Sequence, residues 1–302
     1  ESLLEIVAFE KAAMALSVVP SRQKGVLISS VSQKNTLIQA VRAATQKMGA
    51  FLEIHGCDTS PQARGKYVLD RFWLVPPLEE CTPDLFLQYA KEHHIGAILP
   101  TRDEELLFFA RHKDLWQQHG IAVFVSSFEV VQLCLDKWAF AGFLAEKGLP
   151  GIPTSFHISS LVPSQAYVLK PRWGAGGRGV RVKCTAAEAE EFAKELESPL
   201  FQPWIEGQEW SVDLYRSSVK GIVGVIARER NQVIGGEAKV TTARSFPALE
   251  KLASELADLL GICGHCVIQV IVDVEGAFHI LECNPRFGGA SSASVAAGLD
   301  SF

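Results

Sequence analysis

The chain has 302 residues, more than one small core needs, so about two domains are expected. Apolar residues make up 48 % and charged residues 21 %, the balance of a soluble globular protein. The net charge is −5 with no Lys/Arg-rich run, which argues against a nucleic-acid partner, and no apolar stretch is long enough to span a bilayer.

Seven cysteines, an odd number, are scattered through apolar contexts. In a chain of this length that pattern reads as a reducing compartment, with the thiols acting as small buried hydrophobes. No signal-peptide pattern is present, so a cytoplasmic location is expected. The chain starts at Glu1 and stops at Phe302, and is expected to be a piece of a longer sequence.

Residues 1–19 carry Leu3, Leu4, Val7 and Met14 at helical spacing, and Pro20 ends that helix. Gly25–Ser29 reads as a short buried strand. A turn follows, then a helix from about Thr36 to Met48. Strands are expected at Gly49–Ile54, Arg71–Val75, Ile95–Leu99 and Ala122–Val125, and helices at Asp84–His93 and Glu104–Gln118. Strands alternating with helices predict a parallel sheet covered on both faces. The first strand-to-helix turn lacks the dinucleotide glycine fingerprint, so this half reads as scaffold. Thr101–Glu105 sits at a strand end, where α/β sheets bind ligands. Its acidic residues also suit a helix N-terminus, and that reading is preferred.

Asp136 and Lys137 open another helix, ending at Gly148, and Leu149–Pro153 is a Pro/Gly linker. Tyr167–Pro171 is a strand, and Val180–Lys183 is another. Between them Gly174, Gly176 and Gly179 spell G-x-G-x-x-G, with Gly177 inside the run. A dinucleotide site would need a helix next, and a P-loop would need a closing Gly-Lys-Ser/Thr. Strand, glycines, strand predicts a flap whose N–H groups can close over phosphates. Lys170, at the strand end, is a cation beside it. A helix is expected at Glu188–Glu197 and strands at Leu200–Ile205 and from about residue 206. Gln202–Ile205 can meet a purine edge and Glu209 can accept from ribose hydroxyls, but from the residues alone the preferred reading is half-exposed strand residues.

A helix over Phe246–Leu260 precedes Cys263-Gly-His-Cys266, the tetrapeptide of thiol–disulfide oxidoreductases. A helix C-terminus disfavours the thiolate, so a coincidental turn is preferred. Strand Val267–Val272 follows. The last strand, Ala277–Leu281, runs into Glu282 and Asn284. Alternation sets those two on one face, with Cys283 opposite. Their oxygens suit Mg²⁺, which takes few protein ligands and completes its shell with water and phosphate. Arg286 adds a fixed cation.

Four features occur in one order: Asp136–Lys137, Lys170 with the glycine flap, Gln202–Glu209, and Gln269 with Glu282-x-Asn284-Pro-Arg286. Together they resemble the ATP-grasp superfamily, most of all its stand-alone proteins similar to the carbamoyl-phosphate synthase large subunit. The resemblance covers nearly everything after about residue 24. It implies an α/β chain: a helical extension (1–23), a Rossmann-like pre-ATP-grasp parallel-sheet domain (24–126) and an α+β ATP-grasp domain (127–302). The last would divide into a flap subdomain (about 150–204) and a metal-binding subdomain (about 205–302), incomplete at its C-terminus.

The same resemblance assigns roles. Lys137 and Lys170 would hold ATP phosphates, and Gly174, Gly176, Gly177 and Gly179 would form the flap. Gln202, Trp204 and Ile205 would line the adenine site, and Glu209 the ribose site. Gln269 and Glu282 would ligate one Mg²⁺; Glu282 and Asn284 would ligate a second, with Mn²⁺ as a substitute. Arg286 would stabilise the transferring phosphate, with Lys239 as a substrate or phosphate contact. The implied activity is an ATP-dependent ligase that activates a small carboxylate as an acyl phosphate for attack by an amine. A non-catalytic ATP-binding regulatory module and a carboxylate or carbamate kinase-like half-reaction are the alternatives. A homodimer or fusion to further domains would be the assembly. The chain holds one ATP-grasp unit, whereas carbamoyl-phosphate synthesis needs two phosphorylation sites.

Overall fold

The computed structural model describes residues 25–47, 52–299 and 301–302. The helix expected over 1–19 lies outside the described residues.

A five-stranded parallel sheet comes first. It is built from β1 (Gly25–Ser29), β2 (Glu53–Asp58), β3 (Arg71–Leu74), β4 (Ile95–Leu99) and β5 (Ala122–Val123), in the order β3-β2-β1-β4-β5. All five residues of β1 are buried, as a central strand with both faces covered requires. The strand order reverses between β1 and β4, so a crevice opens beyond their carboxyl ends. Thr101 ties this crevice together, donating its hydroxyl to the Ser29 carbonyl at 2.7 Å.

A small antiparallel sheet follows, in the order β7-β6-β8, from β6 (Tyr167–Pro171), β7 (Arg181–Cys184) and β8 (Pro199–Pro203). The third sheet is also antiparallel, in the order β11-β10-β9-β12-β13. Its strands are β9 (Gly207–Ser217), β10 (Gly221–Ile234), β11 (Glu237–Ala243), β12 (Gly264–Asp273) and β13 (Phe278–Asn284). The helix Pro247–Leu260 buries Leu249, Ala253, Leu256, Ala257 and Leu260 on it. Those residues recur at three- and four-residue spacing, one stripe of a helix.

Phe287, just beyond β13, packs into the core of the parallel-sheet half with Val26, Ile28 and Leu99. The C-terminal motif is thereby seated against the first domain.

Several boundaries differ from expectation. The helix expected over Glu104–Gln118 is two helices, Asp103–Arg111 and Lys113–Gln118. His112 leaves the helical region at φ −105°, ψ 21°, and its Nδ1 lies 2.8 Å from the Phe108 carbonyl oxygen. Strand β2 runs to Asp58 because both neighbours pair with it that far, β1 up to Cys57 and β3 up to Asp58, and the buried His55 has a partner, its Nδ1 lying 2.8 Å from the Tyr89 hydroxyl; residues 49–51 of the expected strand lie outside the described residues. The helix Phe128–Leu135 was not foreseen; its run is too apolar to show a period, and only Ser127, capping the Val130 N–H, marks its start. The helix of the flap region spans Ala186–Ala193, fixed by a Thr185/Glu188 capping box.

Candidate active site

A cleft of about 780 Å³ collects residues from both antiparallel sheets and from the segments that follow β1 and β4 of the parallel sheet, a size suited to a nucleotide or a substrate pair. Strands β12 and β13 form its floor. Gln269 stands opposite Glu282, and Val267 opposite Asn284. Glu282 and Asn284 line the cleft, while Cys283 turns into the core at 1 % exposure. Gln269 Nε2 donates to Glu282 Oε1 at 2.7 Å, and Asn284 Nδ2 donates to the same oxygen at 2.8 Å.

A half-turn of either amide exchanges its NH₂ for its oxygen with little change of shape. The trio then offers one carboxylate and two neutral oxygens, a donor set that fits a hard divalent cation sharing its shell with phosphate. Among the described residues no group of three or more His, Cys, Asp or Glu could hold a metal. A cation at Glu282 therefore depends on the two amides.

Two lysines face this carboxylate. Lys170 is the penultimate residue of β6, with 8 % exposure. Burial pushes its ammonium down to about 8; Glu282 opposes the shift and Lys137 reinforces it. Lys137 is also lowered by burial, against the pull of Glu282, Asp103 and Asp136. Its Nζ donates to the Gly174 carbonyl at 2.6 Å. Asp136 sets this corner. Its Oδ1 caps the Trp138 and Ala139 N–H groups, both at 3.1 Å, and the carboxylate takes the Arg172 guanidinium in two bonds of 2.8 and 2.5 Å. One aspartate thus joins the start of the Lys137–Glu146 helix to the root of the glycine run.

Gly174, Gly176 and Gly177 line the cleft, each with positive φ. The run meets the β10–β11 turn so closely that a Cβ on Gly236 would lie 3.1 Å from Gly176 C and Gly177 N. Only glycine permits this approach. Arg178 reaches Glu104 at 3.3 Å. Gly179 is outside the cleft lining, against Leu196 and Pro171.

Gln202, Trp204, Ile205 and Glu209 line one wall. Gln202 donates to Thr154 Oγ1 at 2.7 Å, Trp204 carries Lys183 over its ring at 5.1 Å, and Glu209 pairs with Arg230 at 3.0 Å. Lys239 does not line the cleft. It binds Glu237 at 2.6 Å, and Glu237 is the residue that faces inward.

Arg286 lies beside Glu282, held by both oxygens of Asp103 at 2.7 and 2.5 Å. Asp103 occupies the first helical turn expected of it and lines the cleft as well.

Residues 134–290 match the ATP-grasp domain family, and residues 26–124 match the family described as PylC-like, N-terminal domain. The chain belongs to the ATP-grasp family. The carbamoyl phosphate synthase large chain of Thermoplasma volcanium is 23 % identical over 260 residues, covering 76 % of this chain and 24 % of that one. The chain therefore spans about a quarter of that relative's length. Among solved structures, the biotin carboxylase of Campylobacter jejuni, in complex with β,γ-ATP, aligns with a TM-score of 0.72 at 17 % identity, over 92 % of this chain and 69 % of that one. The biotin carboxylase domain dimer of Hydrogenobacter thermophilus 2-oxoglutarate carboxylase, complexed with MgADP, ADP and bicarbonate, aligns at 0.67 and 20 % identity, over 91 % of this chain and 70 % of that one. These likenesses concern the fold.

The ATP-grasp cleft also contains charged residues that sequence reasoning passed over: Lys34, Arg228 and Arg230. Arg228 is 2 % exposed and binds Asp213 through Nε at 2.8 Å and Nη2 at 2.5 Å. His265, the histidine of the Cys-Gly-His-Cys stretch, sets Nε2 3.1 Å from Asp213 Oδ1 and Nδ1 3.0 Å from Ser301 Oγ. Burial pushes Asp213 up, but His265 and Arg228 prevail and hold it at about 2. Gly264–Cys266 open strand β12. Cys263 and Cys266 are free thiols, and burial raises the Cys263 pKa, which disfavours the nucleophilic thiolate.

Proposed function

We propose that this chain is an ATP-dependent carboxylate–amine ligase. The observation that carries the reading is the convergence on Glu282. Two amides bond one of its oxygens, a buried and a half-buried lysine feel its charge, and the glycine run lies across the same cleft.

In this reading Lys137 and Lys170 bind the phosphates of ATP, under Gly174, Gly176 and Gly177. Gln202, Trp204 and Ile205 take the adenine and Glu209 the ribose. Gln269 with Glu282, and Glu282 with Asn284, would hold two Mg²⁺ ions or Mn²⁺ in their place. The metal would neutralise phosphate charge. Arg286, oriented by Asp103, faces the transferring phosphoryl group.

A substrate carboxylate oxygen attacks the γ-phosphorus, and the bond to the β–γ bridging oxygen breaks, releasing ADP. An amine then attacks the acyl carbon, phosphate leaves and the amine loses a proton. Phosphoryl transfer needs positioning and charge neutralisation more than covalent help from the protein. The closed glycine run keeps water from the acyl phosphate. Glu237 binds Lys239, so Lys239 acts on the site through Glu237.

ADP release with Mg-ATP across a panel of small carboxylates, with and without amines, tests the reading. Stimulation that requires both partners is expected. Release on carboxylate alone would mark a kinase-like half-reaction, and no stimulation by any pair would contradict the ligase.

A further inference from the structure

The cleft extends beyond the residues given to ATP, into the crevice where the parallel sheet reverses its strand order. Lys34 stands there, in the turn between β1 and the helix Asn35–Lys47. Thr101 and Asp103 face it from the end of β4, and Glu237 and Arg286 from the ATP-grasp half. The two halves of the chain therefore share this end of the cleft.

Apart from Lys170, the other cations lining the cleft are partnered. Lys137 holds the Gly174 carbonyl, and Arg102 and Arg178 both reach Glu104. Arg228 is on Asp213, Arg230 on Glu209 and Arg286 on Asp103. Lys170 makes no such bond but belongs to the phosphate end. Lys34 likewise has no hydrogen bond or ion pair from its ammonium among the described residues. Burial lowers its pKa and Arg286 adds to that, while Glu237, Asp103 and Glu105 only oppose it from a distance.

Glu105 does not compensate. Its carboxylate is occupied by the Ser29 and Ser30 hydroxyls, and burial raises its pKa toward the neutral acid. Glu237 is bonded to Lys239. A partly buried ammonium without a partner is costly to the free protein. Such a cost is the mark of a group held ready for a ligand.

We propose that Lys34 is the recognition cation for an anionic oxygen group, carboxylate or phosphate, on the substrate that enters beside ATP. This rests on the ligase reading above, and adds that the N-terminal half selects the substrate. Arg286 lies at the reacting end of the same space, so an anion on Lys34 sets the distance between the recognised group and the phosphoryl group. Small residues at Gly288, Gly289 and Ala290 leave room between the two.

The test uses the full chain with saturating Mg²⁺ and a non-hydrolysable ATP analogue, which fills the γ-phosphate position. Succinate and glycerol 3-phosphate are the probes, titrated by calorimetry into the native chain, Lys34→Met and Lys34→Arg. The native chain is expected to bind one of the probes; tighter succinate marks a carboxylate, and tighter glycerol 3-phosphate marks a phosphate. Lys34→Met weakens that probe at least about twentyfold, and Lys34→Arg by less than about threefold, as loss or retention of a charge-assisted bond implies. Nucleotide affinity stays within about twofold and ligand-free thermal stability is unchanged or higher in Lys34→Met. Equal probe binding by native and Lys34→Met chains overturns the proposal, as does binding of neither probe to the native chain. A Lys34→Met chain with lowered thermal stability and equally weakened nucleotide binding overturns it in favour of a structural role. Failure of the native chain to bind the nucleotide analogue sinks the ligase reading itself, and is scored separately.

Discussion

Arg286 and Asp103 lie 183 residues apart and form a two-bond ion pair, Nε to Oδ1 at 2.7 Å and Nη2 to Oδ2 at 2.5 Å. Arg286 follows the last strand of the ATP-grasp domain, and Asp103 begins a helix of the parallel-sheet domain. The first domain thereby fixes the direction of a cation in the second. Asp103→Asn removes the charge that orients Arg286. ATP turnover is expected to fall roughly 100-fold, as small misplacements of a reacting group do, with nucleotide affinity nearly unchanged. Single-turnover ADP release beside a nucleotide titration separates the two effects.

Lys170 gives a pH signature. Its folded-state pKa, about 8, lies below the ordinary 10.5 because burial disfavours the ammonium. The charged form binds phosphate and prevails below about pH 8. Affinity for Mg-ATP should therefore fall as pH rises through that value, by roughly tenfold per unit at most. Lys170→Met should bind weakly and lack this inflection. The ligand-free fold shows the opposite trend. It binds fewer protons than the unfolded chain between about 8 and 10.5, so its stability rises with pH across that window.

Asp213 and Arg228 form a pair at 0 % and 2 % side-chain exposure. Asp213→Asn leaves the guanidinium buried without its counter-charge and should cost about 3–5 kcal/mol, measured by denaturant unfolding. The Asp213 pKa, about 2, lies below the ordinary 3.8. Its contribution is complete above about pH 4 and is lost as pH falls toward 2. The gap between native and variant stability should narrow across that window.

Gly177 tests the flap. It sits at φ +68°, and a Cβ there would lie 3.7 Å from Gly236. Gly177→Val strains a left-handed position by about 1–2 kcal/mol and pushes the run off the turn. Nucleotide affinity should drop about tenfold while the thermal midpoint falls by only a few degrees, because the run contributes no core residues.

What sequence showed followed from local rules. Alternation alone put Glu282 and Asn284 on one face and Cys283 in the core, and the glycine run between two strands excluded a dinucleotide helix. Alternating strands and helices gave the parallel sheet, and the resemblance gave the second domain. The missed features have two causes. Lys34 lies in a turn with no pattern, and its meaning arises only because the strand order reverses beside it. Arg228 and Asp213 sit on neighbouring strands of a sheet whose register no local signal sets. Both depend on neighbours distant in sequence, and spacing along one chain does not encode that. His112 breaks a helix locally, through its own backbone, where apolar spacing continues undisturbed.

In the proposed function, Glu282 organises a metal-dependent nucleotide site. Calorimetric titration of ATP, with and without Mg²⁺, into the native chain and Glu282→Ala tests it most directly. Mg²⁺-dependent binding is expected in the native chain and loss of that dependence in Glu282→Ala, with circular dichroism unchanged because Glu282 packs no core. Mg²⁺-dependent binding of equal strength in both chains would contradict it.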